Sequence, residues 1–358
     1  MDINQIITAY RFDHPWLTEA FVEESRVLAA GETARRHHFV PEFHLRYWAI
    51  DGMVKTVDVD TGRAKGPLST RSVAFERDFY TIPDGADSVD TSPLWVETYL
   101  SRIENSAARH IAELNAGPAG PVGDLSVKRD LAVFLGLQHR RTVDARRRSL
   151  VIANAPDSIK QPMLERMMPT ATPLQIEESM QNQLRDRKAG AIRMMIEDVR
   201  NVTAGTLFGR RWAIYEAEGA LVTCDEPVIA IAGPRYPRSV SVGSGLSGVV
   251  VYPLSPGRVL VMSHPQLQDR GPFLLDHNET HNLNREIVAN AAKTAFERPS
   301  DTTVESADVP ARPPSTDPDY TQMSVDDAID LMLQLATPRN RWAYHDNPPP
   351  WPVPRWFG

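Results

Sequence analysis

The chain has 358 residues, 42% of them hydrophobic, which is enough to bury a large core in one domain or in two closely packed lobes. A formal net charge of −7 argues against a basic surface coat for nucleic acid, but a local basic patch is still allowed, so nucleic-acid binding stays open. The single cysteine, Cys224, excludes an intrachain disulfide and a multi-cysteine zinc site. Without a window of about 20 apolar residues, the sequence predicts a cytoplasmic protein with no membrane segment.

The first predicted element is a short amphipathic helix over residues 15–30, which leads into the densest group of ionisable residues, Arg35–Tyr47. Within it, His37 and His38 are adjacent, and consecutive side chains point to opposite faces of a strand. We therefore expect one of the two histidines to face inward. A core imidazole bonded to backbone and a catalytic or metal-binding imidazole are both open interpretations here.

Short β-prone runs separated by turn residues cover about residues 45–82 and again about 211–263. Between them, apolar residues at three- and four-residue steps predict a helical part over about 93–202. The sequence therefore predicts an α+β fold, with a helical lobe packed on a small, mostly antiparallel sheet.

The helical part opens at Ser92-Pro93, since serine suits the cap and proline the first helical position. Glu97 and Glu104 then lie two turns apart beside the apolar stripe of this helix. They are either a carboxylate pair that faces a cleft or a solvated flank, and the flank is the commoner arrangement on amphipathic helices.

The next helix carries polar residues where its apolar stripe should continue. Leu131 and Phe134 are followed on the same face by Gln138 and Arg141. An arginine held against a core needs a partner, because an unpaired buried charge is costly. We expect Arg141 to be buried against a carboxylate or a ligand anion, and Arg146–Arg148 to form a solvated basic helix end.

The last third of the chain predicts a helix over Leu283–Glu297, which closes a single domain of residues 1–298. Residues 299–323 are rich in Pro, Asp, Ser and Thr and predict a flexible linker. Residues 324–358 predict a short helix and a Pro/Trp tail. Docking of this tail on its own domain is favoured, because exposed tryptophans are unfavourable, and recognition by a protein partner is the alternative.

Several separated motifs resemble one known family. The first motif consists of His37, His38, Phe39, Val40, Pro41, Phe43, Leu45 and Arg46. It resembles the opening His-His-aromatic-Val-Pro-x-Phe-x-Leu-Arg pattern of a mainly bacterial family, domain of unknown function 4238. Gln138 with Arg141-Thr142, Thr223–Val228 and Leu283-Asn284 resemble later motifs, although Cys224 and Glu226 replace a serine and an asparagine. The resemblance spans about Arg36 to Arg298 and implies no particular reaction.

Two functions are consistent with these residues, and the sequence contains no phosphate-binding loop, nucleophile elbow, His-Glu-x-x-His or dinucleotide fingerprint in its usual context. The first is a hydrolase of a phosphodiester or nucleotide, in which histidine acts as base or metal ligand and arginine holds an anionic group. The candidate residues are His37, His38 and Asp225 for catalysis and Gln138, Arg141 and Asn284 for substrate binding. A divalent metal ion is a candidate cofactor, and an anionic small molecule or nucleotide the candidate partner. The second is a non-catalytic ligand- or protein-binding module, in which the same groups form a structural polar network.

Overall fold

The structure, a computed structural model, describes residues 12–33, 35–82, 92–167, 171–184, 187–240, 242–268, 271–313, 319–336 and 339–357. Its helices are α1 (Glu19–Leu28), α2 (Glu42–Leu45), α3 (Trp95–Ala116), α4 (Leu125–Arg140), α5 (Val143–Asn154), α6 (Asp157–Met167), α7 (Pro173–Leu184), α8 (Arg187–Asp198), α9 (Ala204–Phe208), α10 (His277–Asn290) and α11 (Val325–Ala336). Its strands are β1 (Arg36–His38), β2 (Met53–Asp58), β3 (Arg63–Ser69), β4 (Phe75–Arg77), β5 (Gly120–Pro121), β6 (Arg211–Ala217), β7 (Thr223–Cys224), β8 (Ile229–Ile231), β9 (Val249–Ser255), β10 (Arg258–Ser263), β11 (Leu274–Leu275) and β12 (Thr294–Glu297).

The strands form two larger sheets and one ribbon. The central sheet has the order β11-β6-β10-β9-β8, with β5 also paired to β6, and all of its pairs are antiparallel except β11 with β6. The second sheet has the antiparallel order β3-β2-β12-β7, and β1 pairs with β4. The α+β class is confirmed, but the β-prone residues before the helical part do not join the central sheet.

The central sheet is buried on both faces, as the alternation along β9 shows. Val250 and Tyr252 pack in the cluster that contains the apolar residues of α3 and α4. Val249 and Val251 point the other way, into a cluster that includes Leu283 of α10. The helical lobe therefore lies on one face, and α10 with the C-terminal segment lies on the other.

Helix α4 carries the polar end of its stripe into the interior. Its cap is Asp124, whose carboxylate accepts hydrogen bonds from the backbone N–H groups of Ser126 and Val127. Leu131 and Phe134 are buried farther along the helix, and Gln138 is fully buried in the last turn. The helix ends at Arg140. The stripe predicted from the sequence therefore has the correct phase, and it delivers Gln138 and Arg141 into the core.

The helix predicted over Leu283–Glu297 is wrong in its second half. α10 begins at an Asp276/Glu279 capping box and ends at Asn290, and residues 294–297 form strand β12. Alanine and phenylalanine are compatible with both structures. Residues 294–297 adopt the strand conformation because they pair with β2 on one side and with β7 on the other. Both pairings join residues that are far apart in the sequence.

The segment predicted as a flexible linker, 299–323, contributes two buried residues to a core, and the predicted division of the chain at residue 298 stays a prediction. Val304 and Ala307 are buried in the same cluster as Val353 and Trp356 of the tail, and residues 314–318 lie outside the described range. α11 packs against α5 and α6. The tail therefore docks on its own domain, as favoured, and the C-terminal residues complete the cores instead of forming a separate appendage.

Candidate functional site

The cluster centred on Arg141 draws on three elements. β1 contributes His37 and His38, α3 contributes Glu97 and Glu104, and Arg141 directly follows the last residue of α4. The antiparallel pairing of β1 with β4 fixes the histidine pair, and the packing of α3 on α4 fixes the carboxylates relative to Arg141.

Arg141 is buried, with only 2% of its surface exposed. Its Nη1 lies 2.5 Å from Glu104 Oε1, and its Nε donates to Gln138 Oε1 at 2.9 Å. Gln138 in turn donates from Nε2 to the carbonyl of Phe39 at 2.9 Å. The prediction of a buried, carboxylate-paired arginine is confirmed, with Glu104 as the partner. Arg141 Nη2 is buried and has no hydrogen-bond partner within the described part of the chain.

The two histidines have different surroundings, as the strand geometry predicts. His37 is fully buried; its Nδ1 accepts a hydrogen bond from the backbone N–H of Tyr80 at 2.8 Å, and its ring stacks on the Tyr80 ring. His38 is half-buried, and its Nε2 has no hydrogen-bond partner among the residues described. Burial lowers the pKa of His38, which favours the neutral ring. His37 is thus anchored to backbone, while His38 retains a free ring nitrogen.

Glu97 completes the cluster as a carboxyl group that resists ionisation. Burial, reinforced by the charge of Glu104, raises its pKa to about 7, and Arg141 opposes the rise. Glu104 and Arg141 also influence the pKa of His38. Glu97, Glu104, His38 and Arg141 therefore form one electrostatic unit, in which His38 is neutral and Glu97 is close to half-protonated at neutral pH. Glu97 and Glu104 are therefore not the solvated flank of α3 that the sequence favoured.

Asp225 and Asn284 are bonded to backbone. The carboxylate of Asp225 accepts from the backbone N–H groups of Ala292, Lys293 and Thr294, each at 2.8 Å. Burial raises the pKa of Asp225, and these three hydrogen bonds oppose the rise.

Asn284 joins α10 to the chain before β7. It accepts from the N–H of Val222 at 3.0 Å and donates to the carbonyl of Ala220 at 2.9 Å. Among the contacts between described residues, none links Asp225 or Asn284 to His38 or Arg141. The contacts of these two residues fix the backbone around β7, and their predicted roles in catalysis and substrate binding find no support in that geometry.

A second polar network lies behind the Arg141-Thr142 pair. The Thr142 hydroxyl donates to Glu226 Oε1, and Arg148 forms an ion pair with Asp144. Arg148 is buried, so the solvated helix end predicted for Arg146–Arg148 is wrong at this position. Asp144 also accepts from Arg312, far along the chain, and the sequence gives no local signal for that contact.

We expect the pH dependence of stability to report on Glu226. Burial raises the pKa of Glu226 to about 7, above its value in the unfolded chain. The protonated side chain therefore contributes fully to the unfolding free energy below about pH 4.5, and this contribution is lost as the pH rises through 7. Glu226→Gln should keep an acceptor for Thr142 and remove this loss. Relative to the native chain, the variant should gain on the order of 2 kcal/mol in unfolding free energy between pH 5 and pH 8.

Urea unfolding at pH 5, 6.5 and 8 measures this difference. Asp330→Asn, an exposed position on α11, is the control and should have a similar small effect on stability at each pH. A constant offset between Glu226→Gln and the native chain would show that Glu226 ionises normally in the folded state.

Sequence reasoning did not identify two buried histidines as parts of polar networks. His44 on α2 shares hydrogen bonds with Tyr252 and Thr223, and burial lowers its pKa to about 3. His139 is buried beside Val228, and its pKa is also lowered to about 3 by burial. The position of His139 next to Gln138 was the available signal, but the strands that cover it come from distant parts of the sequence.

The described residues contain no group of three or more His, Cys, Asp or Glu side chains placed to hold a metal ion. The candidate divalent metal therefore has no ligand set among them, and no chemical step is assigned to one. In the same residues, no helix has the length and apolar character needed to cross a membrane.

Comparison with known proteins identifies the family. A family model described as "Protein of unknown function (DUF4238)" matches residues 36–301. This range covers well over half of the chain and includes the histidine pair, both carboxylates of α3, Arg141 and Asp225. The chain belongs to this family, as the motifs predicted. No curated protein and no solved structure matches the chain.

Proposed function

We propose that this member of the DUF4238 family hydrolyses a small phosphate ester, either a phosphodiester or a nucleotide, at the Arg141 cluster. The observation that carries the proposal is Arg141 Nη2, a buried guanidinium nitrogen without a partner in the described chain, together with the equally unpartnered Nε2 of His38, whose pKa is lowered by burial and also by the charge of Arg141. Buried arginine nitrogens normally have acceptors, and a phosphate oxygen is a strong one.

The cluster contains the groups that acid–base hydrolysis requires. Neutral His38 accepts a proton from water as the water oxygen bonds to phosphorus. Protonated Glu97 gives its proton to the leaving oxygen as the ester P–O bond breaks, and Arg141 holds the charged phosphoryl oxygens. Glu104 holds Arg141 in position through the ion pair. The two proton-transferring groups have pKa values displaced in opposite directions by burial, which suits a base and an acid that act together.

Two of the six residues predicted from the sequence keep a direct role in this proposal, and four do not. His38 and Arg141 keep a direct role, and Gln138 keeps an indirect one because its amide holds Arg141 Nε. His37 holds the backbone at Tyr80 beside the cluster, whereas Asp225 and Asn284 hold the backbone around β7 and have no part in the proposed reaction. The proposal places the reaction in the cytoplasm, in line with the single cysteine, and it does not require the tail to bind a protein partner.

Hydrolysis of bis(p-nitrophenyl) phosphate and p-nitrophenyl phosphate tests the proposal directly. His38→Gln and Glu97→Gln should each lower kcat by about 10²-fold or more, because each removes one proton-transfer group. Glu113→Gln should leave kcat unchanged. Inorganic phosphate should raise the melting temperature of the native chain and have a smaller effect on Arg141→Lys, which loses the planar donor pair.

Two outcomes would overturn the proposal: no hydrolysis of either ester above the buffer rate, or undiminished hydrolysis by His38→Gln. His37→Gln serves as the structural counterpart. It should lower the unfolding free energy by about 1 to 3 kcal/mol, because it leaves the Tyr80 N–H imperfectly satisfied, whereas His38→Gln should be close to neutral.

The second candidate function is a non-catalytic binding module. It is favoured by the way His37, Asp225 and Asn284 are bonded to backbone, which is what a structural polar network requires. Under this function, phosphate would still stabilise the native chain, but His38→Gln would retain that stabilisation and neither ester would be hydrolysed.

A further inference from the structure

A second cleft lies beside the last turn of α4, under the C-terminal segment. His139 and Arg141 are two positions apart, so their side chains leave the helix end in nearly opposite directions, about 200° apart. His139 lines this cleft together with Glu226, Arg238 and Glu286. The cleft is therefore distinct from the Arg141 cluster, although both draw on the same turn.

Three buried polar atoms of residues in the walls, one each on His139, Arg238 and Trp342, have no hydrogen-bond partner in the described residues. His139 is only 8% exposed; its ring donates to the backbone carbonyl of Val228, and its Nδ1 has no hydrogen-bond partner. Arg238, whose side chain is 9% exposed, has an unpartnered Nε. The neutral imidazole nitrogen can only accept and the guanidinium N–H can only donate. The cleft thus offers one acceptor, His139 Nδ1, and two donors, Arg238 Nε and the Trp342 indole N–H, the second of which faces Glu286.

The charges around the cleft are already paired. Arg238 Nη2 lies 2.6 Å from Glu286 Oε2, and Asn340 donates to Glu286 Oε1 at 2.9 Å. Glu226 accepts from Thr142. A further buried ion would lack a counter-charge here and would be costly to desolvate. What the walls can still satisfy is an uncharged group that carries both a donor and an acceptor.

Part of the cleft wall is apolar. The cleft encloses about 560 Å³ between protein atoms when its open mouth is counted, but it has only about 40 Å³ of room for water-sized molecules. Val240, Val242 and Trp351 form apolar walls, and Val240 is exposed. A ring between these walls would bury its faces against apolar surface while its polar edge reaches inward.

We propose that this cleft binds an uncharged amino-substituted nucleobase, edge first. The base donates an amino N–H to His139 Nδ1 and accepts from Arg238 Nε. Adenine has this combination, since its N6 amino group is a donor and its N7 an acceptor on the same edge. The site is separate from the hydrolytic cluster and does not depend on the function proposed for it.

Calorimetric titration of the full chain with adenine tests the site. The native chain should bind one adenine per chain, and purine, which lacks the 6-amino donor, should bind at least tenfold more weakly. His139→Phe keeps a ring of similar size but removes the acceptor, so adenine affinity should fall at least tenfold. His38→Gln is the control and should bind adenine as the native chain does.

Arg238→Lys provides a second variant if His139→Phe folds poorly. It retains a cation for Glu286 but removes Nε, and it should also weaken adenine binding at least tenfold. The absence of adenine binding at millimolar concentration would overturn the proposal and assign the unpartnered atoms to bound water. Equal binding by the native chain and a folded His139→Phe would also overturn it. Neither result bears on ester hydrolysis, so failure here and failure of the proposed function are distinguishable.

Discussion

Asp225→Ala should lower the free energy of unfolding by about 3 to 5 kcal/mol. The substitution removes the acceptor of three consecutive backbone N–H groups, from Ala292 to Thr294, and each buried donor left without an acceptor costs about 1 to 3 kcal/mol. Water can reach part of this segment and replace some of the lost hydrogen bonds. The expected loss of unfolding free energy is therefore near the lower end of the summed cost of three unsatisfied donors. Urea unfolding at pH 7 measures it.

The matched control is Asp124→Ala, at the start of α4. Asp124 also accepts from backbone N–H groups, but these lie at a helix end open to solvent, so its loss should destabilise the protein much less than the loss of Asp225. Equal losses for the two variants would contradict the structural role of Asp225. A variant Asp225→Asn of native stability but without esterase activity would restore the catalytic role predicted from the sequence.

Arg141→Ala should destabilise the protein by about 3 kcal/mol, and the loss should persist at high salt. The substitution removes the donors of Gln138 Oε1 and Glu104 Oε1. Breaking a buried pair costs about 3 to 5 kcal/mol, but Glu104 is 24% exposed, and solvent will compensate part of its charge. Thermal and urea unfolding at 0.1 M and 1 M salt measure the loss and its salt dependence.

Arg140→Ala is the neighbouring control. Arg140 forms two hydrogen bonds with Asp198 at the surface, where an ion pair contributes about 1 kcal/mol or less and is weakened by salt. If Arg141→Ala and Arg140→Ala changed the melting temperature by the same small amount, the side chain of Arg141 would have to face solvent.

The sequence by itself determined the elements that depend on local periodicity. The helical stripes of α3 and α4 follow from apolar residues at three- and four-residue steps, and the phase of the second stripe was enough to predict that Arg141 is buried and paired. Alternation along a strand was enough to predict that one of the two adjacent histidines faces inward, and the structure identifies it as His37. These inferences succeed because the period of a helix or strand fixes side-chain directions without reference to the rest of the chain.

Only the tertiary structure decided which partner each of these groups meets. Glu104 is the carboxylate that pairs with Arg141, and residues 294–297 become a strand because β2 and β7 flank them. Val304 and Ala307 turn a polar, proline-rich segment into part of a core. Asp225 is bonded to the backbone that follows α10. Each of these outcomes depends on contacts between residues tens to hundreds of positions apart in the sequence. A local sequence pattern carries no information about which distant residues come into contact.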